Sequence, residues 1–301
     1  MGISLFRIKK WVNMLRGKSV YHVNQDEGKI YSKKDIRGYY NNLTEKVTRF
    51  GLNGEGVPKT VVEKGGERYF PIEIFQYGLA AYDLFLLNNS EEMLSKAISC
   101  ADWTVDNQNQ DGGWDTFGYL DKTAPFSAMA QGEGVSLLLR VYKQTNKKEY
   151  IQAAQNAIRF MITPIEQGGT AKYDKDNVLF YEYTNKPLVL NGWIFALWGL
   201  WDACQVFQEE HLKEVLDKTL HSLEKKLADD DLGYWSKYDE KKKIASPFYH
   251  KLHIAQLRVM YDLTDKEVFL AYAEKWDGYQ KSFWKRKRAF IKKAFQKIFE
   301  R

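Results

Sequence analysis

The 301-residue chain predicts an all-α protein, an α/α barrel in the form of an incomplete toroid of about four helix pairs. Three observations carry this. Segments with apolar residues at helical spacing come in pairs, starting near residues 72, 126, 188 and 247. Within each pair the first segment is apolar and aromatic all round, and the second is amphipathic and charged. The long connections fall on one side only, after each second helix, over 110–125, 164–187 and 228–246. An inner helix buried on every face and an outer one buried on a single stripe satisfy a two-layered ring. An α-solenoid shows the same alternation, and the one-sided loops favour the toroid.

In chain order, residues 1–50 are read as an N-terminal amphipathic helical extension. Residues 51–280 are the barrel, and 281–301 form a basic amphipathic C-terminal helix. The barrel opens with a turn-rich stretch, 51–71, whose β-like pulse at Thr60–Val62 predicts a loop or hairpin over one end of the ring. The pairs follow as 72–88 with 91–107, 126–145 with 147–162, 188–206 with 209–227, and 247–263 with 266–279. Short polar turns such as Asn88-Asn89-Ser90 join their members. Gly132-Glu133-Gly134 lies inside an apolar helix and lacks both a preceding strand and a third glycine. Close helix packing explains it better than a dinucleotide site.

Composition removes several function classes. Hydrophobic residues make up 44% and charged residues 28%, and no apolar run reaches 18 residues, which argues against a membrane-spanning helix. The net charge of +6 is a property of the ends: residues 281–301 carry +8 and residues 1–20 carry +5, leaving −7 between them. An acidic body argues against a nucleic-acid groove. Phe283, Trp284, Phe290, Ile291 and Phe295 alternate with basic residues in the last segment, a pattern that fits contact with anionic lipid or a partner, or simple packing on the domain. The N-terminus has no signal-peptide apolar region, so the expectation is a cytoplasmic protein, with peripheral contact at the inner membrane face and a homodimer left open. Cys100 and Cys204, among apolar neighbours, read as buried reduced thiols.

Aromatic residues reach 15%, and many fall in the long loops, where exposed rings suit a carbohydrate cleft. No phosphate-binding loop, Cys-x-x-Cys, His-Glu-x-x-His or nucleophile elbow occurs, so no cofactor and no metal is expected. His250 and His253 share a helix face but lack a third ligand at matched spacing, and a hydrogen-bonding role suits them better. Tyr181-Glu182-Tyr183, Tyr238-Asp239 and Tyr249-His250 each lie at the mouth of an inner helix, and together they are the most informative group.

At these residues the chain resembles a known family. YFPIEIFQYGLAAYD (69–83), ADWTVDNQNQDGGWD (101–115), FSAMAQGEGVSLLLRVY (126–142), YEYTNKPLVLNGWIFALWGLWD (181–202) and SPFYHKLHIAQL (246–257) occur in the order of the C-terminal catalytic domain of the D-glucuronyl C5-epimerases. The resemblance implies an α/α barrel that inverts C5 of glucuronyl residues to iduronyl residues in a heparosan-type polysaccharide. It implies Tyr183, Tyr238 and Tyr249 as acid/base tyrosines with Glu182 beside them. Substrate contacts are expected from Trp114, Gln131, Tyr181, Asn191, Lys241, His250 and His253, and from Tyr69 and Tyr77 upstream. The chain departs from the family in lacking its N-terminal β-domains, in Pro247-Phe248 where a Trp-Asp precedes the third tyrosine, and in Lys241 where an arginine stands.

The chemistry suits tyrosines. Inversion at C5 removes a proton α to a carboxylate from one face of the sugar and returns one to the other, which calls for acid/base groups on both faces. The carboxylate must also be neutralised as the enolate-like intermediate forms. Lys241, His250 and His253 are the expected sources of positive charge. A polysaccharide lyase sharing the same abstraction, and a non-catalytic glycan-binding α/α module, are the alternatives.

Overall fold

The computed structural model describes residues 22–48, 56–62, 66–241 and 243–299, together with Asn13. Eight helices form the four expected pairs: α1 (Pro71–Asn88) with α2 (Glu91–Asp106), α3 (Ala128–Thr145) with α4 (Lys148–Ile162), α5 (Leu190–Phe207) with α6 (Glu210–Lys226), and α7 (Pro247–Thr264) with α8 (Glu267–Lys281). The inner helices are buried almost without interruption. Every residue of α3 from Ala128 to Val141 is buried, whereas α4 buries one stripe through Tyr150, Ala153, Ala154, Ala157, Ile158 and Met161. The uniform apolarity of the inner segments and the amphipathicity of the outer ones thus have the expected cause.

Local signals place the helix ends. Ser90, Ser127 and Ser246 cap α2, α3 and α7 by accepting a backbone N–H. All four inner helices stop at a left-handed residue: Asn89, Asn146, Gln208 and Asp265, with φ of 51°, 54°, 54° and 56°. Asn and Asp tolerate that conformation, which turns the chain sharply into the outer helix.

The inner helices α1, α3, α5 and α7 pack in sequence order. The seam between α3 and α5 is a backbone contact. A Cβ on Gly132 would lie 2.6 Å from Ala196 Cα, and one on Gly199 would strike the Gly132 backbone. The packing role expected of the Gly132-Glu133-Gly134 run is therefore real.

The ring does not close by helices alone, and residues 22–48 occupy the space between α7 and α1. Towards α7, Lys251 pairs with Asp26 at 2.8 Å, Arg258 with Glu27 at 3.1 Å, and Tyr31 donates to Asp262 at 2.5 Å. Towards α1, the Tyr39 N–H donates to Asp83 at 2.8 Å and Lys46 pairs with Glu73 at 2.6 Å. Beneath the ring, Arg140 pairs with Asp202 at 2.5 Å and donates to Gly38 O at 3.0 Å, while the Tyr40 and Ser136 hydroxyls donate to Asp202 at 2.6 Å.

This corrects the helical reading of the N-terminal extension over residues 22–44. Over 22–44 there is no helix, because the stretch folds back on itself through Gly28 N–H to Tyr40 O and Asn42 N–H to Asp26 O, both 2.8 Å. A single helical turn follows at Glu45–Thr48. Residues 1–12, 14–21 and 49–50 of that extension lie outside the described residues.

Two hairpins complete the fold. β1 (Lys59–Val62) pairs antiparallel with β2 (Gly66–Tyr69) where the β-like pulse predicts a hairpin. β3 (Ala171–Asp174) pairs with β4 (Asn177–Phe180) inside a connection that reads as loop, since four-residue strands are too short for periodicity to announce. The basic C-terminal segment forms α9 (Phe283–Phe299). Cys100 is buried and Cys204 half-buried, both as free thiols. Among the described residues no helix is long and apolar enough to cross a membrane.

Two measurements test this account of the core. Asp202→Asn leaves Arg140 charged and buried without its counter-ion and is expected to lower stability by about 3–5 kcal/mol in denaturant unfolding. Gly199→Ala gains about 1 kcal/mol of helix propensity. It should nonetheless lower the melting temperature, because overpacking the seam costs about 1–3 kcal/mol. A rise in melting temperature would disprove backbone contact there.

Candidate active site

A cavity of about 540 Å³ lies at the N-terminal ends of the inner helices. Glu73 and Gln76 of α1, Met129 of α3, Asn191 and Phe195 of α5, and Phe248 and Tyr249 of α7 line it. The β1 hairpin contributes Val61 and Val62, the 110–125 loop Phe117 and Tyr119, and the N-terminal segment His22 and Gln25. Helix N-termini expose N–H groups without intrahelical partners and carry the positive end of the peptide dipole. Four of them facing one cavity favour an anionic group there.

Glu182 and Tyr183 enter this cavity from the turn between β4 and α5. The glycine of the Leu190-Asn191-Gly192 run makes this possible: a Cβ on Gly192 would come within 2.6 Å of Glu182 Oε2. Glu182 is 7% exposed, and burial pushes its carboxyl up to about 7 against the stabilising hydrogen bond with Tyr183. Its Oε2 is buried with no hydrogen-bond partner among the described residues. Burial foremost, with the Glu182 charge next, holds the Tyr183 hydroxyl well above its ordinary value of 10. The Tyr183 ring stacks on Phe117 at 4.1 Å, and Lys186 Nζ lies 4.1 Å from its centroid.

Tyr249 lines the cavity from α7, with the His22 ring edge-on at 5.7 Å. Tyr238 stands behind it, ring centroids 4.8 Å apart, and does not reach the wall. Burial and Glu182 raise the Tyr249 hydroxyl far above 10, while its hydrogen bond with Tyr238 acts in the opposite direction. All three tyrosines are therefore neutral in the unliganded protein, and Glu182 is the group poised near neutrality.

Asn191 lies at the cavity wall, with its Oδ1 buried and unpartnered among the described residues. The other expected substrate contacts lie elsewhere. Trp114 is fully buried, donates its indole N–H to Thr104 O at 2.8 Å and meets the Phe75 ring at 5.0 Å, so it is a core anchor. Gln131 is buried and secures the same turn, its amide donating to Gly112 O at 3.2 Å and accepting from the Trp114 N–H at 3.1 Å. Tyr181 is buried, and its backbone ties Thr170 to Ala128. Tyr77 is buried within α1, and Tyr69 stands exposed on β2 against Trp103 and Lys59. Lys241 is exposed in a turn away from the cavity.

The histidines also do not supply the positive charge. His250 Nδ1 and His253 Nδ1 share the Ser236 hydroxyl at 2.8 and 2.9 Å, and His250 stacks on Trp235 at 3.6 Å. Burial lowers His250 to about 4 and His253 to about 3, so both are neutral. Their hydrogen-bonding role is structural. It fixes the 228–246 loop that carries Tyr238. Among the described residues no three His, Cys, Asp or Glu side chains converge as a metal would require.

Lys186 lines the cavity, Lys46 pairs with Glu73 on its wall, and Arg68 lies over the lining ring of Tyr119 at 4.4 Å; the spacing of motifs singles out none of the three. Behind the α1 wall, the Gln76 amide donates to Glu133 at 2.7 Å. Glu133 is fully buried, and burial holds its carboxyl protonated, far above the usual carboxylate range. With its NH₂ committed to Glu133, Gln76 offers the cavity a carbonyl oxygen. A lone glutamate in the apolar run MAQGEGVSLLL is the signal that could have found this pair.

Glu182 yields a stability prediction with a definite sign. Its folded pKa of about 7 exceeds the ordinary 4.5, so the unfolded chain releases its proton first. Stability contributed by this group is complete below pH 4.5 and is lost as pH rises to about 7, by roughly 3 kcal/mol. Glu182→Gln should flatten that slope and be the more stable form at pH 8 in urea titrations. Trp114→Ala, in contrast, should cost about 3–5 kcal/mol at every pH, as a core truncation does.

With the geometry in place, comparison with known proteins is informative. The family model described as D-glucuronyl C5-epimerase C-terminus matches residues 110–278. A D-glucuronyl C5-epimerase of Caenorhabditis elegans is 29% identical over 210 residues, 60% of this chain and 34% of that protein. An uncharacterized protein of Methanocaldococcus jannaschii is 30% identical over 155 residues, half of each chain. The chain thus matches between a third and a half of the length of these relatives. Among solved structures, the cellobiose 2-epimerase of Bacillus thermoamylovorans is similar with a TM-score of 0.49 at 15% identity, over 69% of this chain and 59% of that one. The matched residues run from the loop before α3 through α8 and include Glu182, Tyr183, Tyr238 and Tyr249, and on that ground the chain belongs to the D-glucuronyl C5-epimerase C-terminal domain family.

Proposed function

We propose that the protein is a carbohydrate epimerase that inverts C5 of D-glucuronyl residues to L-iduronyl residues in a heparosan-type polysaccharide. The observation that carries this reading is the meeting of Glu182, Tyr183 and Tyr249 on one cavity, with Tyr238 hydrogen-bonded behind Tyr249. The relatives add an epimerase from Caenorhabditis elegans that bears the same name as the family.

In this reading the uronate carboxylate faces Lys186 and the helix N-termini, which offset charge on the enolate-like intermediate. Because neutral Tyr183 is a poor base, it acts together with Glu182. The Tyr183 oxygen takes the C5 proton as its own proton passes to the Glu182 carboxylate. On the opposite face Tyr249 gives its proton to C5 and is restored through Tyr238 and solvent. The Gln76 carbonyl and Asn191 Oδ1 accept from sugar hydroxyls, which gives Asn191 Oδ1 the donor it lacks among the described residues. Elimination by a lyase needs the same abstraction but also a proton for the 4-oxygen, so the two reactions differ in product.

Incubation of desulfated heparosan-like polymer in D₂O tests the reading. Wild type should introduce deuterium at C5 and produce iduronate, with no unsaturated product. The rate should rise with pH through about 7 as Glu182 ionises. Glu182→Gln, Tyr183→Phe and Tyr249→Phe should each lose roughly 10²–10⁴-fold in exchange rate while retaining polymer binding. Wild-type exchange in all three would end the assignment, and a 4,5-unsaturated product would make the protein a lyase.

A further inference from the structure

The C-terminal helix α9 is attached by one face and leaves the opposite face in water. Ala289 and Lys293 are buried, Lys293 Nζ donates to Ile244 O at 2.7 Å, and Gln296 accepts from the Ile244 N–H at 3.0 Å. At 3.6 residues per turn, Trp284 and Ile291 fall on the far side of the helix from Ala289 and Lys293. Trp284 is 74% exposed and Ile291 45% exposed. With Tyr234, Lys287, Arg288 and Lys292 they border a shallow groove of about 480 Å³.

Charge decides what fits this face. α9 holds seven Lys and Arg residues and no Asp or Glu. Lys287 and Lys292 flank the Trp284–Ile291 stripe on its two sides, as in a helix lying in a headgroup plane, where basic side chains reach outward while the apolar stripe sinks. A second copy pairing through this same face would bring an equally basic α9, and residues 1–20 carry +5 with no acidic side chain, so neither of these offers complementary charge. We propose that α9 docks the protein on an anionic membrane surface, with Trp284 and Ile291 inserted among the lipids and Lys287 and Lys292 on their phosphates. The proposal rests on α9 alone and is independent of the catalytic reading.

The test is co-sedimentation of the full chain with vesicles of phosphatidylcholine alone or mixed with phosphatidylglycerol. Retention is expected only on the mixed vesicles, and raised salt should release it. The double variant Lys287→Gln with Lys292→Gln should weaken binding on the order of tenfold or more. Trp284→Ser with Ile291→Ser should weaken it comparably, with melting temperature and circular dichroism unchanged because all four positions are exposed or rim-facing. Equal retention on both vesicle types, no retention on either, or wild-type binding by both variants overturns the proposal. A dimer in solution that Trp284→Ser dissociates, without vesicle binding, would also overturn it and assign the face to a second copy.

Discussion

The ion pair between Arg140 and Asp202 is the interaction on which the arrangement depends, because both side chains are withdrawn from water and neither is tolerable alone. Arg140 belongs to α3 and Asp202 to α5, so the pair spans the seam where Gly132 and Gly199 let the two backbones touch. Further hydrogen bonds come from the N-terminal segment, where Gly38 O accepts from Arg140 and the Tyr40 hydroxyl donates to Asp202. Residues 22–48, together with Ser136, thus supply the groups that surround the buried pair.

That segment has a second consequence at the other end of the molecule. Four helix pairs leave a gap between α7 and α1, and the chain that fills it also delivers His22 and Gln25 to the cavity and Lys46 to Glu73. Closing the ring and completing the site are one structural event. Among the described residues, the β1–β2 hairpin and the 22–48 segment stand at the cavity's edge.

Periodicity made the helices legible because each inner helix meets protein on all sides and each outer helix on one, a difference written directly into residue type. The ends were legible too, through polar turns such as Asn88-Asn89-Ser90. Residues 22–44 were not, since their conformation comes from distant partners such as Asp83, Asp202 and Asp262. At the site, Glu182, Tyr183 and Tyr249 line the cavity and stood out in the sequence because they sit at helix mouths, a ground on which Asn191 was not singled out. Trp114 and Gln131 were misjudged as substrate contacts, and His250 and His253 as sources of positive charge, for one reason. Polar and aromatic side chains near a cleft resemble ligand contacts, yet these four satisfy one another or the backbone around the loops they anchor. The Gln76–Glu133 pair escaped because a protonated, buried glutamate has no sequence signature beyond its presence in an apolar run.

Under the proposed function, an acidic body must receive an anionic sugar, and the distribution of charge shows how it would. Net charge acts over distances at which salt screens it, whereas a bound carboxylate responds to dipoles and charges within a few ångströms. The −7 of the body is spread over its surface, while the cavity gathers four helix N-termini and Lys186. Of the two glutamates on its wall, Glu73 is neutralised by Lys46, and burial holds Glu182 half-protonated near pH 7. The local field therefore has the opposite sense to the global one. It also ties the two properties of Glu182 together. In the proposed reaction, the low-dielectric surroundings that lift its pKa into the range of a useful base are the same surroundings that would keep it from repelling a uronate, so that binding and proton abstraction would draw on a single feature of the fold.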